Sequence, residues 1–108
     1  MLLFRYPANS TVAPSEEALG EMHRQWGAFI GNLALQEKLV STHQLGDDGC
    51  QLHADGTVEQ GMPMQAGIAL GGNMILRSTC LQEAADLAKH CPILLMGGSV
   101  EVRNIQPM

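Results

Sequence analysis

The stretch Gly71-Gly72-Asn73-Met74-Ile75-Leu76, followed through Cys91-Pro92-Ile93-Leu94 to Gly97-Gly98-Ser99-Val100-Glu101-Val102-Arg103, decides the fold. Residues 73–78 read as a strand, with Met74 and Leu76 on one face and Asn73, Ile75 and Arg77 on the other. Thr79 and Gln82 fit a capping box, in which each side chain satisfies a backbone donor at a helix start. Leu81, Ala84, Ala85 and Ala88 then give that helix a face of small residues that permits close packing. Pro92 ends it, and residues 99–105 read as a closing strand.

Working outward, residues 2–6 read as a first strand closed by Pro7, and a polar loop is expected over 8–14. Ser15 can cap a helix, with Glu16 and Glu17 in the first turn, where the dipole favours negative charge. Leu19, Met22, Trp26, Phe29, Ile30 and Leu33 recur at spacings of three and four, which makes one apolar helix face; the helix is expected to fray over 35–38. Residues 40–45 can be a strand, and 46–49 have turn chemistry. Residues 50–54 and 57–60 read as a hairpin around Asp55-Gly56. Residues 61–70, rich in Met, Gly and Ala and without charge, are expected to be a loop.

The resulting order is strand, helix, two or three strands, helix, strand. Right-handed connections place both helices on one face of an antiparallel sheet, the ferredoxin-like β-α-β-β-α-β plan of an α+β protein. The other sheet face is left open, and interface and function are both expected there.

A chain of 108 residues is a single domain, 1–108, with a small core that a subunit interface would help to complete. Its 45% hydrophobic and 16% charged residues suit a compact protein, and the low charge predicts a surface partly covered by a partner. A net charge of −5 argues against non-specific nucleic-acid binding. Three widely spaced cysteines argue against a disulfide framework and for a reducing compartment. The N-terminus does not read as a signal peptide, no run is long enough for a membrane helix, and a cytoplasmic location is expected.

With that order established, the chain resembles the YCII-related (DGPF-type) family over nearly its full length. The resemblance is carried by Met1-Leu2-Leu3-Phe4, Ser15-Glu16-Glu17 and Trp26-Gly27-Ala28-Phe29-Ile30. It is strongest from Gly71-Gly72 onward, including Glu83-Ala84-Ala85, Ala88-Lys89, Cys91-Pro92-Ile93-Leu94 and Gly97 to Arg103. The resemblance implies a dimeric α/β barrel, two sheets facing one another with a cleft near the interface. There are two departures. Where members often carry Asp-Gly-Pro-Phe, this chain has Gln60-Gly61-Met62-Pro63, and where some relatives have a first-helix His proposed to pair with an Asp, it has Trp26, with His23 nearly one turn earlier.

Strand parity adds the candidate site. Arg5, Arg77, Arg103 and Glu101 fall on the phase opposite to the apolar residues of three strands that neighbour one another in the ferredoxin-like order. Three of the six Lys and Arg residues would then converge on the open face. They could hold a small carboxylate or phosphate, or could pair with Glu101 and acids of a second subunit as interface structure.

Two functional classes follow. One is a binding or accessory protein with its ligand cleft lined by Arg5, Arg77, Arg103 and Glu101, with Trp26 or His23 near the mouth. The other is a cofactor-free enzyme of lyase, isomerase or oxygenase type with His23 as general base. A purely structural role, as a subunit of a larger assembly, stands beside these two classes. A homodimer or higher homo-oligomer and a small-molecule ligand are the expected partners, with no cofactor, metal, nucleic acid or membrane.

The remaining chemistry-bearing residues have plainer readings. His43 and His53 could be cross-strand neighbours, and His90 suits a helix end. Cys91 suits a packed corner, the glycine pairs tight turns or close backbone contacts, and Met62, Met64 and Met74 core or interface packing.

Overall fold

The structure is a computed structural model that describes residues 1–8 and 15–107. The loop expected over 8–14 lies almost wholly outside the described residues. In chain order the elements are β1 (Leu2–Pro7), α1 (Glu16–Leu35), β2 (Leu39–Gln44), β3 (Cys50–Leu52), β4 (Val58–Gln60), β5 (Met64–Gln65), β6 (Ile68–Leu76), α2 (Leu81–Ala88), a short 3-10 helix (Pro92–Met96) and β7 (Ser99–Val102).

The main sheet runs β2-β6-β1-β7, and β5 pairs with the start of β6; β3 and β4 form a separate two-stranded sheet. Every pairing is antiparallel. The protein is therefore α+β, with two helices on an antiparallel sheet whose strand order is compatible with the ferredoxin-like plan.

Both helices cover one face. Leu2 and Phe4 of β1 and Met74 of β6 join Phe29 and Leu33 of α1, Ala88 of α2, Cys91 and Ile93 in one buried cluster. Leu2 stands directly opposite both Met74 and Val102, so the apolar phase of three strands coincides. Burial of such side chains contributes about 1.5–3 kcal/mol each. Phe4 and Phe29 each meet Trp26 edge-on, at ring-centroid distances of 5.3 and 6.0 Å.

The ends of α1 follow from local chemistry. The Ser15 hydroxyl accepts from the Ala18 amide at 3.1 Å, as the capping residue should. At the other end the Glu37 and Lys38 amides donate back to Ala34 and Leu33, which closes a Schellman motif. Glu37 takes the left-handed conformation there, φ 58°, a position that glycine usually fills. The Lys38 ammonium then pairs with Glu83 and ties the end of α1 to the first turn of α2.

Four details differ from the sequence expectations. The capping box of α2 does not form: Cys80 is the capping residue, and the Thr79 hydroxyl turns to the Glu83 carboxylate at 2.5 Å. Residues 61–70 are not a loop. Met64 and Gln65 pair with Ala69 and Ile68 around a two-residue turn, Ala66-Gly67, in which both residues have positive φ (54° and 77°). β6 therefore begins before the Gly71-Gly72 pair and ends at Leu76. β7 stops at Val102, and Pro92 opens a 3-10 turn after α2 has already ended.

Gly71 is an extra residue in β6. Phe4 faces Gly72 and Arg5 faces Leu70, so the strand bulges at Gly71 and keeps its side-chain phase matched to β1 on both sides. A side chain at Gly72 would meet the His43 carbonyl oxygen at 2.6 Å, so the pair marks close backbone contact inside the strand.

Candidate functional site

The open face is defined by cross-strand rows. His43 of β2 stands opposite Asn73 of β6, Asn73 opposite Leu3 of β1, and Leu3 opposite Glu101 of β7. The next row carries Ser41 and Ile75, and the row on the other side carries Leu70, Arg5 and Ser99. Leu3, Arg5, Asn73, Ile75 and Glu101 are half-buried on this face.

Two polar groups flank Leu3. On one side His43 Nδ1 and Asn73 Oδ1 lie 3.0 Å apart. On the other, Arg5 Nη1 reaches diagonally to Glu101 Oε1 at 2.9 Å, and Arg103 Nη1 meets the second carboxylate oxygen at 3.2 Å. One carboxylate is thus held between two guanidiniums, a local excess of one positive charge in a chain of net charge −5. A guanidinium offers five N–H donors in a planar fork. Each of these two arginines uses one nitrogen on Glu101, which leaves donors free to meet a carboxylate or phosphate above the sheet.

Arg77 takes no part in these ion pairs. It lies seven residues along β6 from Leu70, the partner of Arg5, which puts it roughly 20 Å from Arg5 at the ~3.3 Å rise of a strand. Because β6 ends at Leu76, Arg77 sits in an open hollow between the end of α1 and the start of α2, beside Glu37, Lys38, Thr79 and Glu83. Lys38 and Thr79 hold the Glu83 carboxyl down to about 2, so this acid is ionised throughout the neutral range.

Trp26 and His23 are also placed away from the face. Trp26 is a core residue between Phe4 and Phe29. His23 is exposed on α1. All of α1 packs on the far side of the sheet, so the sheet itself separates both residues from Arg5. Among the described residues no carboxylate lies within hydrogen-bond reach of His23. His43 and His53 are not cross-strand neighbours, because β2 pairs with β6 and β3 with β4; His53 instead meets Glu59 at 3.1 Å.

The residues that sequence reasoning missed on this face are His43 and Leu70, whereas the phase of β1 had already set Leu3 beside Arg5. A register shift between Leu39 and Ser41 sets the phase of β2, and its sequence carries no apolar alternation that would show where Val40 drops out of the ladder.

The cysteines divide by environment. Cys91 is buried, and burial pushes its thiol up to about 11, whereas Cys50 and Cys80 are exposed. Since the thiolate is the reactive form, a thiol reagent at neutral pH is expected to modify Cys50 and Cys80 promptly and Cys91 only after unfolding. Mass spectrometry after timed alkylation reads this directly, and early labelling of Cys91 would contradict the packing described.

Among the described residues no group of three or more His, Cys, Asp or Glu is placed to hold a metal ion, and no helix is long and apolar enough to cross a membrane. No protein-family model matches the chain, and a search of curated proteins finds no significant match.

Proposed function

We propose that this protein is a homodimeric binding protein of the YCII-related kind, which holds a small carboxylate or phosphate where the open sheet faces of two copies meet as a dimeric α/β barrel. The observation that carries the reading is the Arg5–Glu101–Arg103 cluster beside Leu3 on a sheet face that neither helix covers. A ligand anion would take the guanidinium donors that Glu101 leaves free. Leu3, Leu70 and Ile75 would supply the apolar floor, and His43 with Asn73 a polar edge. The YCII resemblance supports the dimeric barrel through the closing strand and the two glycine pairs. Exposed, unpaired Cys50 and Cys80 support a reducing, cytoplasmic setting. Enzymatic use of His23 draws no support from its position across the sheet.

The test is a thermal-shift and calorimetric screen of small carboxylates and phosphates, repeated with Arg5→Met and Arg103→Met. Hydrogen bonds to charged groups contribute about 1.5–3 kcal/mol, so each variant is expected to weaken binding by roughly tenfold to a hundredfold while the fold stays intact. Ligands that bind both variants as tightly as the native chain would overturn the proposal, as would a screen in which no anion binds.

A further inference from the structure

We infer that the ligand of the open face is a chain with a single carboxylate at one end and a hydroxyl at the other, the carboxylate held by Arg5 and Arg103 and the hydroxyl by His43 and Asn73. This rests on the binding reading above and deepens it, by narrowing the ligand class and giving the far end of the ligand its own residues.

The head group follows from charge. Arg5 and Arg103 share the one carboxylate of Glu101, so the cluster carries one positive charge in excess. A monoanion neutralises that excess, whereas a doubly charged phosphate exceeds it and meets the repulsion of Glu101 as well. A carboxylate also matches the planar fork of a guanidinium.

The far group follows from the hydrogen bonding of His43 and Asn73, which stand directly opposite each other. Asn73 Oδ1 only accepts, so at 3.0 Å it takes the hydrogen of His43 Nδ1. The uncharged ring then has its lone pair on Nε2, and the Asn73 amide keeps two N–H donors on Nδ2. Among the described residues neither Nε2 nor Nδ2 has a hydrogen-bond partner. The pair therefore offers a ligand both an acceptor and a donor. A hydroxyl answers both. An ammonium cannot accept from Nδ2, a second carboxylate cannot donate to Nε2, and a methyl group leaves both unpaired.

The length follows from register. His43, Asn73, Leu3 and Glu101 form one row across β2, β6, β1 and β7. The two polar pairs are thus centred two strand spacings apart, roughly 10 Å at ~4.8 Å each. Leu3 occupies the interval with an apolar side chain, so the middle of the ligand is hydrocarbon. An extended chain advances about 3.3–3.6 Å per three bonds, so the span corresponds to an ω-hydroxy acid of about eight or nine carbons.

The experiment is isothermal titration calorimetry of the full chain at about pH 8.5, where imidazoles are uncharged. The probes are straight-chain ω-hydroxy acids of increasing length, with the plain fatty acids and the α,ω-dicarboxylic acids of matched length. Circular dichroism confirms that each variant folds. Affinity is expected to peak at about eight or nine carbons. At that length the hydroxy acid is expected to bind about threefold to tenfold tighter than the plain acid, the worth of an uncharged hydrogen bond. His43→Phe and Asn73→Leu are expected to reduce or abolish this preference while the plain acid still binds, and Arg5→Met to weaken both acids alike. A plain acid that binds the native chain as tightly as its hydroxy counterpart, or a dicarboxylate that binds tighter, would overturn the hydroxyl end and leave the anion site standing. A preference that survives intact in both His43→Phe and Asn73→Leu would overturn the role of that pair. Failure of every acid to bind the native chain would overturn the proposed function and this inference together.

Discussion

Phe4→Ala is expected to destabilise the fold by about 3–5 kcal/mol, the range for removing a buried phenyl ring. Phe4 is 4% exposed at the middle of β1, between Gly72 of β6 and Val100 of β7. Neither neighbour can fill the space: Gly72 has no side chain, and Val100 is held by its own strand. Trp26, which meets Phe4 edge-on at 5.3 Å, would lose the partner that orients its indole. Small domains hold only about 5–15 kcal/mol in total, so the variant would sit near the threshold of folding. Urea denaturation with tryptophan fluorescence reports both effects at once, since Trp26 is the sole tryptophan. A loss below about 1 kcal/mol would mean that Phe4 is not at the centre of the core.

Gly98→Ala is the second large effect, and it acts by crowding rather than by leaving a void. A Cβ at Gly98 would lie 2.4 Å from the Arg5 carbonyl oxygen, 2.5 Å from Ile93 Cγ1 and 3.0 Å from the Ile93 carbonyl oxygen. Two of these three atoms are backbone, and the Gly98 amide already donates to Ile93 at 2.9 Å. Relief therefore requires β1 and the 3-10 turn to separate. Overpacking of this kind costs about 1–3 kcal/mol, which lowers the melting temperature by several degrees per kcal/mol in a domain of this size. The displaced strand is the one that carries Arg5, so the variant is also expected to bind the proposed anion more weakly. Gly27→Ala is the control: nothing lies within 4 Å of a Cβ there, and in a helix interior the change is expected to stabilise by about 0.5–1 kcal/mol. Equal behaviour of the two variants would contradict the close approach at Gly98.

How much of this was legible in the sequence depended on whether each strand kept one unbroken phase. β1 and β7 do so through Leu2, Phe4, Val100 and Val102, and their opposite phase correctly set Arg5 and Glu101 on the face away from the helices. The apolar spacing of α1 likewise marked Phe29 and Leu33, and Ser15 marked its start. Where a strand bulges or stops, parity no longer carries. The shift at Val40 hid His43, and the end of β6 at Leu76 sent Arg77 to a different place from the one its alternation implied. The turn at Ala66-Gly67 was illegible because alanine rarely adopts positive φ, so residues 61–70 lacked the Asn-Gly or Asp-Gly signal of a tight hairpin. Thr79 failed as a cap because Glu83, which also pairs with Lys38, takes its hydroxyl instead.

The central claim is that the face bearing Arg5, Leu3 and Glu101 is covered by a twin chain. Sedimentation equilibrium of the native protein at neutral pH tests it most directly. The account predicts a particle of about twice the 11.6 kDa of one chain, persisting to low micromolar concentration as expected for a standard-sized interface. A mass of one chain at every concentration would contradict it.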